Sequence, residues 1–319
     1  MQRIKNYVGI DISKLTFDVA IENEGQYRYY KLNNDIAGFE QLLDLLPPGS
    51  QVVMEASGPY YLRLAVHLHE QNVAVSVINP LVIRRFCQMR LSRTKTDKKD
   101  AGMIASYGKT EHPCTWHPQE GYVMELGQLQ TSTSLLEKSR TSFIRQLEAF
   151  DQLPVISVEA ITAINNAITV IEKQLAAIDL RMQELIKQYH GQMYEQVQSI
   201  PGVGKKTALL LIVLSGGFTK FKKARQLSSY IGICPRIFES GSSIKGKGRI
   251  TKMGMSKIRS MLYMCTWSAR KCNKACRELY DRLIAQGKAK KLALIAVANK
   301  LLKQAFAIAT QNVTFNPNL

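Results

Sequence analysis

The sequence has no run of about 18 apolar residues, so it is expected to contain no membrane span. Its first strand-like stretch, YVGIDIS, carries Asp11, which excludes a secretory apolar segment there. A cysteine framework is also missing. Cys87, Cys114, Cys234, Cys265, Cys272 and Cys276 are scattered, which rules out a small disulfide scaffold. A reducing, cytoplasmic compartment is the simplest expectation. No histidine follows His190. Cys265, Cys272 and Cys276, spaced i, i+7, i+11 on one expected helical face, therefore have no evident fourth zinc ligand nearby and read as reduced structural thiols. Acidic residues are scarce at one end: beyond position 200 there are only Glu239, Glu278 and Asp281.

That last deficit explains the net charge of +18. Residues 1–200 hold 20 Lys/Arg and 22 Asp/Glu, whereas residues 201–319 hold 23 Lys/Arg against three acids. Cationic side chains release counterions when they neutralise phosphates, so a basic region of this density favours nucleic acid as partner. A solubility surface or an anionic membrane would also suit the charge, but no amphipathic anchor accompanies it. With 319 residues, 45% of them apolar and 21% charged, the chain has the composition of a soluble globular protein of two or three domains.

The first hundred residues alternate between strand and helix patterns. Tyr7–Ser13, Leu15–Glu22 and Tyr27–Leu32 read as three strands in succession. Ile36–Leu46 has helical spacing and ends at Pro47-Pro48-Gly49. A strand over Gln51–Ala56, a helix over Tyr60–Gln71 and a strand over Val73–Ile78 follow, with Asn79-Pro80 as the end of that strand and a helix after it, for the order β-β-β-α-β-α-β-α. A three-strand meander followed by crossovers is the order of ribonuclease H-like folds, although periodicity alone supports only mixed α/β. The middle of the chain differs. Leu126, Leu129, Thr133, Leu136, Arg140, Phe143, Leu147 and Phe150 keep a 3-4 spacing, and Ile161 to Leu185 repeat it after Pro154. Such seams predict coiled-coil helices in a hairpin, a dimer interface or both; two core helices of a bundle are the plainer alternative. The last third reads as helices over Lys206–Leu214, Lys223–Ile231, Lys257–Lys271 and Lys290–Gln311, with a Gly-, Ser- and Lys-rich loop at Glu239–Lys252.

Four carboxylates stand out. Asp11 lies amid apolar strand residues and Glu55 ends the strand VVMEA. Burying either charge would cost several kcal/mol without compensation, which a divalent cation supplies. Asp97 and Asp100, in TKTDKKDA, would share one face at a helix start; taken alone they also suit a solvated helix N-terminus. Hard oxygen ligands of this kind fit Mg²⁺, and a pair of ions can clamp the attacking and leaving oxygens of a phosphodiester. Asp18 reads as structural, pointing away from Phe17 and Val19.

In the basic third, SIPGVGKK turns into a helix. Gly202 and Gly204 would let backbone approach a phosphate, with Lys205 and Lys206 adding charge, in the manner of a helix-hairpin-helix. Trp116 and Trp267 are the two tryptophans; they could stack on bases, although most aromatics are core. Arg84–Lys99 carries seven basic residues beside the acids and could track a phosphate backbone.

The set GIDIS, MEASG, INP and TKTDKKDA resembles the DEDD transposases of the insertion sequence 110 family, a pilin-gene invertase among their relatives. The stretch YIGICPRIFESGSSIKGKGRITK, with Met253-Gly254 and RSMLYMCTWSA, resembles the family's C-terminal transposase domain. The resemblance implies a RuvC-like, ribonuclease H-like domain over 1–118, coiled-coil helices over 119–192 and a basic helical transposase domain over 193–319. It implies Asp11, Glu55, Asp97 and Asp100 as the Mg²⁺-binding acids, and Ser240 as a nucleophile that attacks DNA and holds a covalent intermediate. Ser242 and Ser243 lie close enough to be alternatives. Lys245, Lys247, Arg249 and Lys252 would then stabilise charge developing on the phosphorus. Donor and target DNA, an element-encoded bridge RNA and a dimer or tetramer with a composite site are the implied partners. A site-specific invertase and a junction nuclease that does not use Ser240 are the competing readings.

Overall fold

The first strand, β1 (Asn6–Ile12), alternates cleanly: Val8, Ile10 and Ile12 are buried on one face while Tyr7, Gly9 and Asp11 point to the other. This is a computed structural model, and it describes residues 6–23, 25–91, 97–236, 239–240, 244–245 and 249–316, with the backbone alone at 97, 239, 240, 244 and 245. The chain divides into two units, Met1–Gln119 and Glu120–Leu319.

In the first unit, β1 pairs antiparallel with β2 (Thr16–Asn23), which pairs antiparallel with β3 (Gln26–Asn33). On its other side β1 runs parallel to β4 (Ser50–Glu55), and β4 runs parallel to β5 (Ala74–Ile78), giving the order β3-β2-β1-β4-β5. The meander and the crossovers agree with the sequence pattern. Helices α1 (Ile36–Leu45) and α2 (Tyr61–Glu70) cover the face formed by Val8, Ile10, Phe17, Val19, Val52 and Met54. Each fully buried Phe or Leu there, such as Phe39 or Leu64, contributes about 1.5–3 kcal/mol. Asp35 caps α1 by accepting from the Gly38 N–H at 2.9 Å.

The helix expected after β5 is present and begins at Asn79-Pro80. Asn79 caps this helix, α3 (Pro80–Met89), accepting from the Leu81 N–H, with Pro80 at the first helical position. Helix α4 (Asp97–Glu111) then crosses the opposite face of the sheet over β1 and β2. Gly9 makes this close approach feasible, because a Cβ there would lie 2.1 Å from the Ala101 carbonyl oxygen.

The second unit opens with two long helices, α5 (Gly121–Phe150) and α6 (Val158–Gln198). They lie antiparallel, since Arg181–Glu125 at 2.8 Å and Arg140–Glu172 at 2.6 Å form rungs in opposite sequence order. The seam residues are half-buried along most of the pair and fully buried at its base, at Leu126, Met182 and Leu185. Near that base α6 is kinked at His190, whose ring bonds the Tyr122 hydroxyl at 3.0 Å.

Helices α7 (Lys205–Ser215), α8 (Ala224–Ile231), α9 (Ser256–Cys272), α10 (Lys274–Ala285) and α11 (Lys290–Gln311) complete the unit. The break between α9 and α10 at Asn273 corrects the cysteine reading. Cys276 lies on a different helix from Cys265 and Cys272, so the three share no single helical face. Cys276 is buried, which pushes its thiol pKa up to about 11. Helix α11 is long and apolar enough to cross a membrane by length and mean hydropathy, which the residue count missed because Asn299, Lys300 and Lys303 interrupt it. Leu294, Val297, Leu301, Leu302 and Ala305 instead place it in the core of this unit.

Candidate catalytic and nucleic-acid-binding sites

Strand register gathers the first acids. Asp11 is the direct cross-strand partner of Asp18. One step beyond the Ile10–Met54 pair, β1 brings Asp11 alongside Glu55, about 5 Å away across parallel strands. All three belong to the face under α4: Gly9 meets Ala101 and Ala105, and Val53, two residues before Glu55, packs with Ile104. Along β1, Tyr7 lies near Gly108 and Gly9 near Ala101 and Ala105, so α4 begins at the Asp11 end. Asp97 and Asp100 are in that first turn.

The surroundings are those of a partly sheltered anionic edge. Asp11, Glu55 and Asp100 are half-buried and Asp18 is buried. The Ser57 hydroxyl donates to Glu55 Oε1 at 3.1 Å, and the Asn34 amide bridges the Ser13 and Tyr60 carbonyls, tying the end of β1 to the start of α2. Asp18 is where the sequence reading fell short. Alternation correctly turned it away from Phe17 and Val19, but only the register shows that this sets it beside Asp11. Adjacent carboxylates repel, a condition that a bound cation relieves. The donor set is all hard oxygen and therefore fits Mg²⁺. Among the described residues, however, no three His, Cys, Asp or Glu side chains stand together as a preformed cage; the Asp97 side chain lies outside them.

In the second unit the motif glycines have a packing explanation. Gly232 closes α8 with φ of 75°, and a Cβ on it would lie 1.9 Å from the Met253 carbonyl oxygen. Gly254 has φ of 108° and faces the Tyr230 carbonyl at 2.0 Å in the same sense. The end of α8 and the segment before α9 are thus pressed together, with the Arg259 guanidinium donating to the Ile231 carbonyl at 2.7 Å. From this base the chain rises as a ribbon. β6 (Pro235–Arg236) pairs with β9 (Arg249–Ile250), and β7 (Glu239–Ser240) pairs with β8 (Ile244–Lys245). Ser240 pairs with Ile244 at the β7–β8 rung, so its backbone belongs to a two-stranded antiparallel pair. Its side chain, that of Lys245, and residues Ser242, Ser243 and Lys247 lie outside the described atoms. Arg249 and Lys252 are exposed.

The Pro-Gly-x-Gly turn departs from the expectation in one respect. Gly204 begins α7 with open space around it, as a phosphate approach requires, but Gly202 is packed against Ala269 of α9, where a Cβ would meet Ala269 Cβ at 2.6 Å. Lys205 and Lys206 are both exposed, and Lys206 also lines a cavity with Asp179 and the Lys257–Glu137 ion pair.

Residues 8–153 match the transposase family of the DEDD IS110 type, and residues 194–281 match the Transposase IS116/IS110/IS902 family. The pilin gene-inverting protein of Moraxella lacunata is 30% identical over 99% of both chains. The transposase for insertion sequence element IS1111A of Coxiella burnetii is 24% identical over 97% of this chain and 90% of its own, and that for IS1328 of Yersinia enterocolitica is 23% identical over 97% and 98%. The two matched regions contain the acids and the serine ribbon respectively, and the whole-chain likeness joins them: the chain belongs to the IS110 family of DEDD transposases, enzymes that recombine DNA.

Proposed function

We propose that this chain is a recombinase with RuvC-type acids and a serine nucleophile, excising and inserting its own mobile element. What supports the reading is that Asp11, Glu55 and the first turn of α4, with Asp97 and Asp100, lie at the same end of one sheet face. In this reading residues 1–118 are the catalytic domain, 119–192 a coiled coil and 193–319 the basic transposase domain. Asp11, Glu55, Asp97 and Asp100 would hold two Mg²⁺ ions, which would supply Lewis acidity at the scissile phosphate. The Ser240 oxygen bonds to phosphorus, and one DNA end leaves as a hydroxyl carrying the proton that serine gave up. An incoming hydroxyl later reverses these steps, so one phosphodiester is exchanged for another and no external energy source is required. Lys245, Lys247, Arg249 and Lys252 offset the charge that builds on phosphorus. Ser240 and the acids meet in an oligomer, a dimer or tetramer, and Lys205 and Lys206 hold nucleic-acid backbone. An element-encoded bridge RNA pairs with donor and target DNA, which suits a chain without a recognisable base-reading module. The setting is cytoplasmic.

A second reading, site-specific inversion, is favoured by the 30% identity to an inverting protein over the whole chain. Plasmids carrying the flanking DNA of this element as a single copy or as inverted sites separate the two. Asp11→Ala and Glu55→Ala are expected to abolish Mg²⁺-dependent cleavage while nucleic-acid binding persists. Ser240→Ala is expected to abolish both cleavage and the protein–DNA adduct seen on denaturing gels. Cutting retained without Ser240 would instead identify a junction nuclease, and purification without a defined RNA would remove the guide.

A further inference from the structure

Trp116 and Trp267 are alike in sequence but not in structure. Trp116 packs against the core of the first unit, whereas Trp267 on α9 is 47% exposed. Beside it on the same helix Met264 is 66% exposed, and Ser260 and Lys271 continue the face at helical spacing. Ser260 and Met264 of this face line an open groove of about 620 Å³ between α9 and the Gly202–Gly204 turn, with walls that are mainly apolar, and Trp267 stands one turn from Met264 outside that lining. Arg270 lies between two rings, 5.6 Å from the centroid of Trp267 and 4.9 Å from that of Tyr280, so the indole is braced by a guanidinium that is itself held.

A soluble domain gains nothing in stability from an exposed indole and thioether beside an open groove. The charge around them selects the occupant. The segment from 201 to 319 carries 23 basic residues and three acidic ones, which disfavours a basic or apolar protein partner and attracts a polyanion. A polyanion with flat apolar faces is a nucleic acid with unpaired bases, since paired bases hide their faces in the stack. Strand exchange between DNA molecules must pass through such unpaired bases.

We propose that Trp267, with Met264 at the groove edge, is a stacking platform for an unpaired DNA base. This rests on the DNA recombinase reading above and names a contact within it. Contact of this kind tolerates sequence, because every base has a π-face. It acts separately from the backbone charges, so it should alter affinity without altering salt dependence.

Having just two tryptophans makes the test direct. In the full chain carrying Trp116→Phe, the remaining tryptophan fluorescence, excited selectively over that of tyrosine, comes from Trp267 and should be quenched as an oligothymidine is added. Replacing the thymidines with abasic units should remove that quench. Trp267→Ala should weaken oligothymidine binding by roughly tenfold, the scale of one lost base–aromatic stack. Duplex affinity and the slope of log affinity against log salt should stay as in the parent, and Trp267→Phe should recover most of the loss. Equal loss on duplex and single strand, an unchanged affinity, or tighter binding of an oligouridine than of the oligothymidine would each overturn the proposal. A parent chain that binds no nucleic acid would overturn the recombinase reading itself, a result distinct from these.

Discussion

Single residues set the tolerances of this protein, and the glycines show it best. Gly232 and Gly254 sit at positive φ with a facing carbonyl within 2.0 Å of where a Cβ would stand. Neither the conformation nor the space admits a side chain. Gly232→Ala is therefore expected to shift the base of the serine ribbon, reducing recombination at least tenfold while far-UV circular dichroism keeps the helical signal. Recombination at the parental rate would show that the base is not held by this contact. Such roles were only half legible in the sequence. G-x-x-P and K-x-G were visible as motifs, but the contacts of their glycines, Gly232 with Met253 and Gly254 with Tyr230, are distant in sequence and depend on the turn geometry at both. Asp18 illustrates the same limit: alternation gives its face, yet its neighbour follows only from the register.

At the scale of elements, the hydrophobic pattern was a reliable guide where a segment buries one face. The three-strand meander and α11 appear within a residue or two of where periodicity sets them, and the α5 and α6 helices contain the two expected seams but extend beyond them. It failed where a boundary residue does two jobs: Asn273 both ends α9 and caps α10 through the Cys276 N–H. Breaks inside a helix are equally hard to read, as at His190. Burial lowers the pKa of this ring, the Glu120 charge opposing the effect in part, while Tyr122 bonds it and Tyr189 stacks on Tyr122. The folded chain thus binds this proton less readily than the unfolded chain. Its contribution to stability is present above the ordinary histidine range and is lost as pH falls through the lowered folded pKa. Thermal unfolding followed between pH 7.5 and 5.5 should show a falling midpoint in the parent and a shallower fall in His190→Gln. Equal slopes would remove His190 as the cause.

For the molecule as a whole, the division of charge matches the division of labour proposed above. The first 200 residues are nearly neutral and include the acids; the remainder is strongly basic and includes the serine ribbon. If the acids of one copy serve the serine of another, two inactive variants should restore each other. Mixed oligomers of Asp11→Ala and Ser240→Ala chains are expected to recover a measurable share of the cleavage lost by each alone, read on radiolabelled element ends. Recovery of none would assign both groups to a single copy. Composition made this question visible at the outset, whereas assembly is beyond what one chain's sequence pattern encodes.

The seating of α4 on β1 has a mechanical corollary. Gly108, two turns past Ala101, is wedged against Tyr7 and Val53, where an added methyl would sit 2.8 Å from both side chains. Seated on backbone at Gly9 and against side chains at Gly108, the helix has its height above the sheet fixed at two points, and the first turn carrying Asp97 and Asp100 inherits its place at the Asp11 end from them.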